Sequence, residues 1–297
     1  MSSSPTRRTL LLGAASSAAL AATAVPAAAA PRTALGTSTP PPAPALPTWG
    51  TSRVALFFAA HQDDELLQMG SQVRADVEAG HQVVVVNCSD GSASGARTGR
   101  LARQLGFVPS VEDFVTARDH EFLESTARLG VPLQGRVISP DRYADGTGTP
   151  EAALRIVADW TARFPTALVR AHSFVDAHRD HRAIGEAVDG LVAAGTLGRE
   201  NDVRFFFSRV YLGTMPTPAL QLTSRPVGDV EQTPFRDHDP AHGRWGVGYL
   251  STWNYFDSHR ADPVSYWHRA SSVLPPPLRR RLPAASLLSA APAGHGC

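Results

Sequence analysis

A histidine and adjacent acids directly follow the apolar run VALFFA at residues 54–59. Within the segment AHQDDE, the turn that ends this predicted strand gathers His61, Asp63 and Asp64 at the strand's carboxyl edge. Open α/β sheets place their ligands and their chemistry at this edge. An imidazole and a carboxylate across such a turn can bind one metal ion. A further acid beside the ion can then take a proton from water.

A second cluster, His178-Arg179-Asp180-His181, follows the short apolar run at residues 167–169. His178 and His181 are three positions apart and therefore share one face of a helical turn. One imidazole can bind a metal while the other faces a substrate, and Asp180 either orients an imidazole or caps the helix. Together the two clusters hold the side chains of a mononuclear metal hydrolase. The alternative is that the acids only cap helices and the histidine pair is surface decoration.

Alternating strands and helices must position these residues. The strands are predicted at 54–60, 82–87, 136–139, 167–170 and 203–210, and the helices at 65–79, 114–129, 150–163 and 181–194. Runs such as Val83–Val86 are apolar on both faces, as in a parallel sheet covered by helices on both sides. We therefore predict an α/β fold with a Rossmann-like, mostly parallel sheet over residues 49–213. No G-x-G-x-x-G follows the first strand, so a dinucleotide site has no support.

The segments outside this domain differ in composition. Residues 1–30 are predicted to be a twin-arginine signal peptide, because Arg7-Arg8 precede a mildly apolar, Ala-rich stretch that is too polar for a stable membrane span. The protein is therefore expected to be secreted. Residues 31–48 are a Pro/Ala-rich linker, 214–272 a loop-rich cap or substrate lobe, and 273–297 a disordered tail.

Composition and charge narrow the class of partner. The net charge of the 297-residue chain is +1, which argues against binding nucleic acid or an anionic membrane by bulk electrostatics. We expect a small-molecule ligand, and the sequence leaves the oligomeric state open. Two cysteines, Cys88 and Cys297, make no disulfide scaffold. Cys88, at the end of a predicted strand, is expected to be a small buried hydrophobic residue.

The two clusters resemble the signature motifs of the PIG-L (LmbE-like) N-acetylglucosaminyl deacetylase family, usually written A-H-P-D-D-E and H-P-D-H. The similarity covers roughly Ala55 to Val210, with both motifs in order. Gln62 and Arg179 replace the two prolines, which is expected to loosen the turns without removing chemical groups. The resemblance implies a Rossmann-like fold and zinc-dependent hydrolysis of an N-acetyl group on a glucosamine.

Residue roles also follow from the resemblance. His61, Asp64 and His181 would bind zinc. Asp63 would be the general base for attack by a zinc-bound water. His178 would stabilise the oxyanion or protonate the leaving amine, and the sequence does not decide whether Asp63 or His178 delivers that proton.

Substrate contacts are expected at three further positions. Arg118 lies in a segment that resembles the family's R-x-x-E helix, and Asp145 precedes Gly146 in what is either a sugar-binding loop or an ordinary turn. Trp253 belongs to the aromatic-rich lobe, whose rings either stack on a sugar or aglycone or form a small second core.

Export points to an extracellular GlcNAc conjugate, such as a cell-wall sugar, a chitin fragment or a glycopeptide antibiotic. Two other classes stay open. Two histidines and one carboxylate also make the facial triad of a non-haem Fe(II) oxygenase, although those sites normally lie in β-rich barrels. The chain could also be a secreted sugar-binding protein without turnover.

Overall fold

The computed structural model describes residues 52–210 and 220–270, which form a seven-stranded sheet covered by helices on both faces and a separate two-stranded ribbon. The strands are β1 (Val54–Ala59), β2 (Gln82–Ser89), β3 (Arg136–Tyr143), β4 (Leu168–His172), β5 (Arg204–Phe207), β6 (Gln221–Thr223), β7 (His238–Asp239), β8 (Arg244–Trp245) and β9 (Ser265–His268). The α-helices are α1 (Asp64–Leu67), α2 (Gly70–Glu78), α3 (Arg100–Leu105), α4 (Val111–Arg128), α5 (Pro150–Arg163), α6 (Arg179–Ala193), α7 (Asp229–Arg236) and α8 (Val247–Ala261).

The strand order of the large sheet is β3-β2-β1-β4-β5-β9-β6. Strands β1 to β5 are parallel, and β9 is antiparallel to both β5 and β6. The chain leaves β1 towards β2 on one side and later returns to β4 on the other. Strand order therefore reverses between β1 and β4, and sheets of this kind bind ligands in the crevice at such a point.

Both faces of the sheet are buried, and alternate residues of β1 point to opposite cores. Leu56 and Phe58 pack with the apolar residues of α5 and α6. Ala55 and Phe57 pack with residues of α1, α2, α4, α7 and α8. This double burial explains why the strands are continuous apolar runs in the sequence, and the predicted fold class is confirmed.

The predicted helix at 65–79 is wrong as a single element, because it breaks between α1 and α2. Met69 N–H donates to the carbonyl of Asp64, five residues back, at 3.2 Å. One extra residue is thereby accommodated in the turn, as in the π-type bulges that are frequent at functional sites. The break places Gln68 between the two helices.

The segment after residue 213 is more regular than the loop-rich lobe that the sequence suggested. Strand β9 adds to the sheet beside β5, with Trp267 opposite Phe206 and Tyr266 opposite Phe207. Helices α7 and α8 pack on the same face as α4. Strands of three or four residues are too short for their alternation to be recognised in a sequence.

Some sequence predictions concern residues outside the described ranges, and the prediction for Cys88 agrees with the structure. The signal peptide, the linker, the C-terminal tail and Cys297 lie outside the described ranges. Cys88 is completely buried, as expected. Among the helices of residues 52–210 and 220–270, none is long and apolar enough to cross a membrane.

A candidate metal centre

The carboxyl ends of β1 and β4 bring the two motifs together. His61 Nδ1 lies 3.2 Å from Asp64 Oδ2, which lies 3.2 Å from His181 Nε2, and the two imidazole nitrogens are 3.3 Å apart. Donor atoms about 2.0–2.1 Å from one tetrahedral ion are roughly 3.3–3.4 Å from one another. The three residues that were predicted to bind metal therefore have the mutual spacing that a single ion requires.

The outer nitrogen of His61 faces two carboxylates. Nε2 lies 3.1 Å from Asp145 Oδ1 and 3.2 Å from Asp180 Oδ2. Asp180 also accepts hydrogen bonds from the backbone N–H groups of Gly146 and Gly148, at 2.7 and 2.8 Å. Nε2 therefore carries the proton of a neutral His61, and the Nδ1 lone pair is turned towards the cluster.

His181 is oriented in the same way by a different acid. Its Nδ1 lies 3.2 Å from Oδ2 of the buried Asp176, which leaves the Nε2 lone pair facing Asp64. Each imidazole of the cluster thus has a carboxylate behind it, the arrangement commonly found around metal-binding histidines.

His178 stands at the start of α6, beside both imidazoles. Its ring centroid lies 4.7 Å from those of His61 and His181. Its Nδ1 accepts a hydrogen bond from Asp180 N–H at 3.3 Å, so a neutral His178 carries its proton on Nε2. The ring is therefore placed to donate a hydrogen bond rather than to bind a metal.

Among residues 52–210 and 220–270, three overlapping groups of side chains each have ligand atoms within 4.8 Å of one another: His61–His178–His181, Asp64–His172–His181 and His61–Asp145–Asp180. Several of these potential metal-ligand atoms already accept hydrogen bonds. His172 Nε2 accepts from Ala60 N–H at 2.9 Å, and both oxygens of Asp180 accept from backbone. His61 Nδ1 and His181 Nε2 each keep a lone pair that faces the cluster, and Asp64 Oδ2, which accepts one backbone hydrogen bond from His61, keeps another.

The electrostatics of the cluster favour a positive charge. Burial alone would lower the pKa of His181, but Asp64 and Asp176 raise it to about 9. The pKa of His61 is likewise raised well above its usual value, against the effect of burial, by hydrogen bonds to Asp145, Asp180 and Asp64. Buried imidazoles and carboxylates with these shifts form a cavity suited to a cation, so the donor set fits a metal such as zinc.

Asp63 lies beside the cluster and outside the triangle of ligand atoms. Burial raises the pKa of its carboxyl to about 6, although the positive charge of Arg118 opposes this shift. The guanidinium Nη2 of Arg118 is 3.4 Å from Asp63 Oδ2. A carboxylate with a pKa close to neutrality is well matched to general-base chemistry.

Arg118 and Gln62 fix the loop that carries Asp63. Arg118 donates to the carbonyls of Gly91 and Gln62, at 3.0 and 3.4 Å. The buried Gln62 side chain donates to the carbonyl of Asp90 at 3.1 Å and to Asp119 Oδ1 at 2.8 Å. The expectation that Gln62 loosens this turn is therefore wrong, because its amide ties the turn to two neighbouring segments.

Gly91 lies in the loop after β2, and a glycine is required where that loop passes close to Gln62 and Arg118. Its φ is +66°, and a Cβ atom there would come within 2.3 Å of Gln62 Oε1. A larger residue would displace both the Gln62 amide and the Arg118 guanidinium.

A cavity of about 330 Å³ opens onto the cluster. Seven of the eight predicted site residues line it: His61, Asp63, Asp64, Arg118, Asp145, His178 and His181. The structure does not bring Trp253 to this lining; its ring is 43% exposed and lies 5.3 Å from the Arg100 guanidinium. Helix α8 instead contributes Ser251, Thr252 and Tyr255, and the loop after β2 contributes Ser94.

Sequence reasoning missed the residues behind the ligands, namely Gln68, His172 and Asp176. His172 ends β4, and the carboxyl end of a parallel strand is where such sheets bind ligands, so its position could have indicated a role in the site. Gln68 follows Asp64 by one helical turn, which also places it near the site. Asp176 lies in an irregular loop and carried no such signal.

The chain resembles known proteins over its α/β domain. Residues 56–192 match the family model described as PIG-L, GlcNAc-PI de-N-acetylase. No curated protein sequence matches the chain significantly.

Several solved structures are similar to this chain. An antimicrobial pseudoaglycone deacetylase is 22% identical, covering 73% of this chain and 96% of that one, with a TM-score of 0.46. An N,N'-diacetylchitobiose deacetylase from Pyrococcus horikoshii is 17% identical, covering 73% and 82%, with a TM-score of 0.46. A 4-carboxy-2-hydroxymuconate hydratase from Pseudomonas putida is 18% identical, covering 75% and 100%, with a TM-score of 0.45. At these values the likenesses carry no weight for function.

Proposed function

We propose that the protein is a zinc-dependent deacetylase that removes the N-acetyl group from a GlcNAc-type sugar, because residues 56–192 match the family model described as PIG-L, GlcNAc-PI de-N-acetylase. The observation that carries the proposal is the triangle of His61 Nδ1, Asp64 Oδ2 and His181 Nε2, with sides of 3.2–3.3 Å. Two imidazoles and one carboxylate are a donor set of catalytic zinc sites. Amide hydrolysis also needs a base beside the metal, and Asp63 is the acid in that place.

Zinc, when bound by these residues, would lower the pKa of a water to about 7 and polarise the acetyl carbonyl. Asp63 accepts the proton of the attacking water, while Arg118 holds its carboxylate from 3.4 Å. His178, through Nε2–H, donates a hydrogen bond to the carbonyl oxygen as negative charge develops there. A donor in such a position contributes roughly 3–4 kcal/mol to catalysis. Asp63 or His178 then delivers a proton to the leaving amine.

The size of the cavity bears on what it holds. At about 330 Å³ it is at the lower end of the volumes of small-molecule sites, which suits one sugar ring with its acetamide group. The hydroxyls of Ser94, Ser251 and Thr252 in its lining can hydrogen-bond to sugar hydroxyls. The group that carries the sugar would then remain outside the cavity, which is compatible with a bulky conjugate such as a glycopeptide.

An acetate-release assay tests the proposed activity. The purified protein would be incubated with N,N'-diacetylchitobiose, a GlcNAc glycolipid and a GlcNAc-bearing glycopeptide, with and without chelator. We expect acetate from at least one of them, lost on chelation and restored by zinc. Matching glucosyl conjugates, which lack the acetamide, serve as controls. No acetate from any GlcNAc conjugate with the zinc-loaded protein would contradict the proposal.

The same assay separates the two other classes. A deacetylase works equally well without oxygen, whereas an Fe(II) oxygenase requires both iron and oxygen. A sugar-binding protein would bind a GlcNAc conjugate and release no acetate.

We also propose that the protein acts outside the cell. The support is the Arg7-Arg8 pair and the Ala-rich stretch that follows it. Export of a reporter fused to residues 1–30 should stop when both Arg7→Lys and Arg8→Lys are introduced. Continued export of that variant through the twin-arginine route would contradict the assignment.

A further inference from the structure

Two side chains that sequence reasoning missed lie behind the Asp64 carboxylate. Gln68 occupies the break between α1 and α2, and His172 is the last residue of β4. Both are buried, with 4% and 0% of their surface exposed. Neither side chain supplies one of the three ligand atoms that converge on the metal position.

A backbone group fixes the direction of the hydrogen bonds through this pair. Ala60 N–H donates to His172 Nε2 at 2.9 Å, so a neutral His172 carries its proton on Nδ1. Nδ1–H can then donate to Gln68 Oε1, 2.9 Å away. This turns the amide nitrogen of Gln68 towards Asp64, and Nε2 donates to Asp64 Oδ1 at 3.0 Å. Each bond dictates the orientation of the next.

The chain of bonds ends on the oxygen of Asp64 that faces away from the imidazoles. Oδ1 is engaged by Gln68, whereas Oδ2 accepts His61 N–H at 2.9 Å and lies 3.2 Å from the nitrogens of His61 and His181. Only Oδ2 is therefore presented to the ion position. A carboxylate that lost this restraint could rotate and present both oxygens.

We propose that Gln68 and His172 are positioning residues that hold Asp64 as a one-oxygen metal ligand. The inference rests on the proposed function in one respect, the assignment of Asp64 as a ligand. His172 also stacks on His181, with ring centroids 4.0 Å apart and planes 16° from parallel, so it supports a second ligand directly.

Direct metal binding by His172 is the competing explanation for its place in the site. Its Nε2 lies 3.5 Å from Asp64 Oδ2. To bind an ion, however, Nε2 would have to give up the hydrogen bond from Ala60 N–H. A buried backbone donor without an acceptor destabilises the protein, so the positioning role explains the contacts better.

The chain offers a matched control for Gln68. Gln72 is also buried and also donates to an aspartate on a neighbouring helical turn, with Nε2 3.0 Å from Asp76 Oδ1. Asp76 pairs with Arg170 at 3.2 Å rather than with the histidine cluster. Gln72→Met therefore removes hydrogen bonds with Asp76, Arg204 and Thr223, all at a distance from the proposed ligands.

The test is the zinc affinity of the demetallated full-length protein, measured by competition with a chromophoric chelator. Gln68→Met and His172→Phe should each weaken zinc binding by about 10–100-fold, the usual effect of losing a partner behind a ligand. The double variant should lose little more than the worse single variant, because both residues act through one chain of bonds. Gln72→Met should lower the melting temperature and leave zinc affinity within about twofold.

Cobalt provides a second measurement that a merely structural role would not change. Bound Co²⁺ reports ligand number through its visible absorption, so Gln68→Met should shift that spectrum and Gln72→Met should not. A folded Gln68→Met variant with wild-type zinc affinity and cobalt spectrum would overturn the proposal, as would equal zinc loss in Gln72→Met. If Gln68→Met does not fold, His172→Phe decides by the same criteria. No acetate is measured, so a failure here leaves the proposed deacetylase activity standing.

Discussion

Two sets of buried histidines in this protein have opposite electrostatic character. His61 and His181, in the cluster, have raised pKa values, about 9 for His181. His259 and His268, in the C-terminal segment, have pKa values lowered to about 4, chiefly by burial. All four are at most 8% exposed, so the degree of burial does not separate them.

What faces each ring explains the difference. The cluster histidines face carboxylates, whereas His259 lies 3.2 Å from the amide of Gln232 and His268 lies 2.7 Å from Ser173 Oγ. Burial disfavours a charged imidazole, and only a nearby anion reverses that effect. A buried histidine therefore marks a cation site only when acids are placed behind it. His172 belongs with the neutral set although it lies beside the cluster, since its pKa is lowered to about 3 by burial and by the positive charge of His181.

Removing Asp64, the acid that both cluster histidines share, should change the protein most. Asp64→Ala should lose metal and activity together, because the triangle of ligand atoms no longer exists. Asp63→Ala should keep the metal and lose about 10²–10⁴-fold in acetate release, because only the base is removed. Metal analysis and turnover of both purified variants check this. Equal zinc loss in the two would refute the division of roles.

The pH dependence of the free energy of unfolding tests whether the C-terminal histidines are held neutral. Because the pKa of folded His268, about 4, lies below the 6.5 of an unfolded histidine, the unfolded chain binds more protons between these values. The free energy of unfolding should therefore fall as the pH drops from 6.5 to 4, by up to about 3 kcal/mol from this residue. Denaturant titrations of wild type and His268→Gln across this range measure the effect. An unchanged pH slope in the variant would show that His268 is not held neutral.

Removing the charge of one of the two acids that face His61 should have a smaller effect on zinc affinity. Asp180→Asn leaves Asp145 within 3.1 Å of Nε2, so the loss should be partial. We expect zinc affinity to fall by about 10–100-fold. The substitution Asp159→Asn, on α5 away from the site, is the control. Wild-type affinity in Asp180→Asn would mean that Asp145 alone orients the imidazole.

The smallest expected effect concerns the turn rather than the acids. Gln62→Pro restores the residue usual in the motif and removes two hydrogen bonds, to Asp90 and to Asp119. Arg118 still holds Gly91, so kcat/KM should fall by less than about tenfold, and zinc affinity should not change. A large loss of zinc in this variant would show that the loop, and not the carboxylates, positions the histidines.

Much of the fold and the centre of the site could be predicted from the sequence. Apolar runs such as Val83–Val86 gave the buried strands, and the motifs followed two of them. Since the carboxyl ends of parallel strands share one edge, His61, Asp64 and His181 could be expected to meet. Strands β6 and β9 were missed, because their pairing partners are distant in the chain and their own patterns are too short.

Residue types and their order along the chain determined which groups could bind a metal here, and that these groups would meet at the end of a parallel sheet. Only the tertiary structure decided which nitrogen of each imidazole and which oxygen of Asp64 face the cluster. Those choices depend on hydrogen bonds that involve Asp176, Gln68 and His172. These partners lie in a loop, a helix break and a separate strand, and no local sequence pattern records their directions.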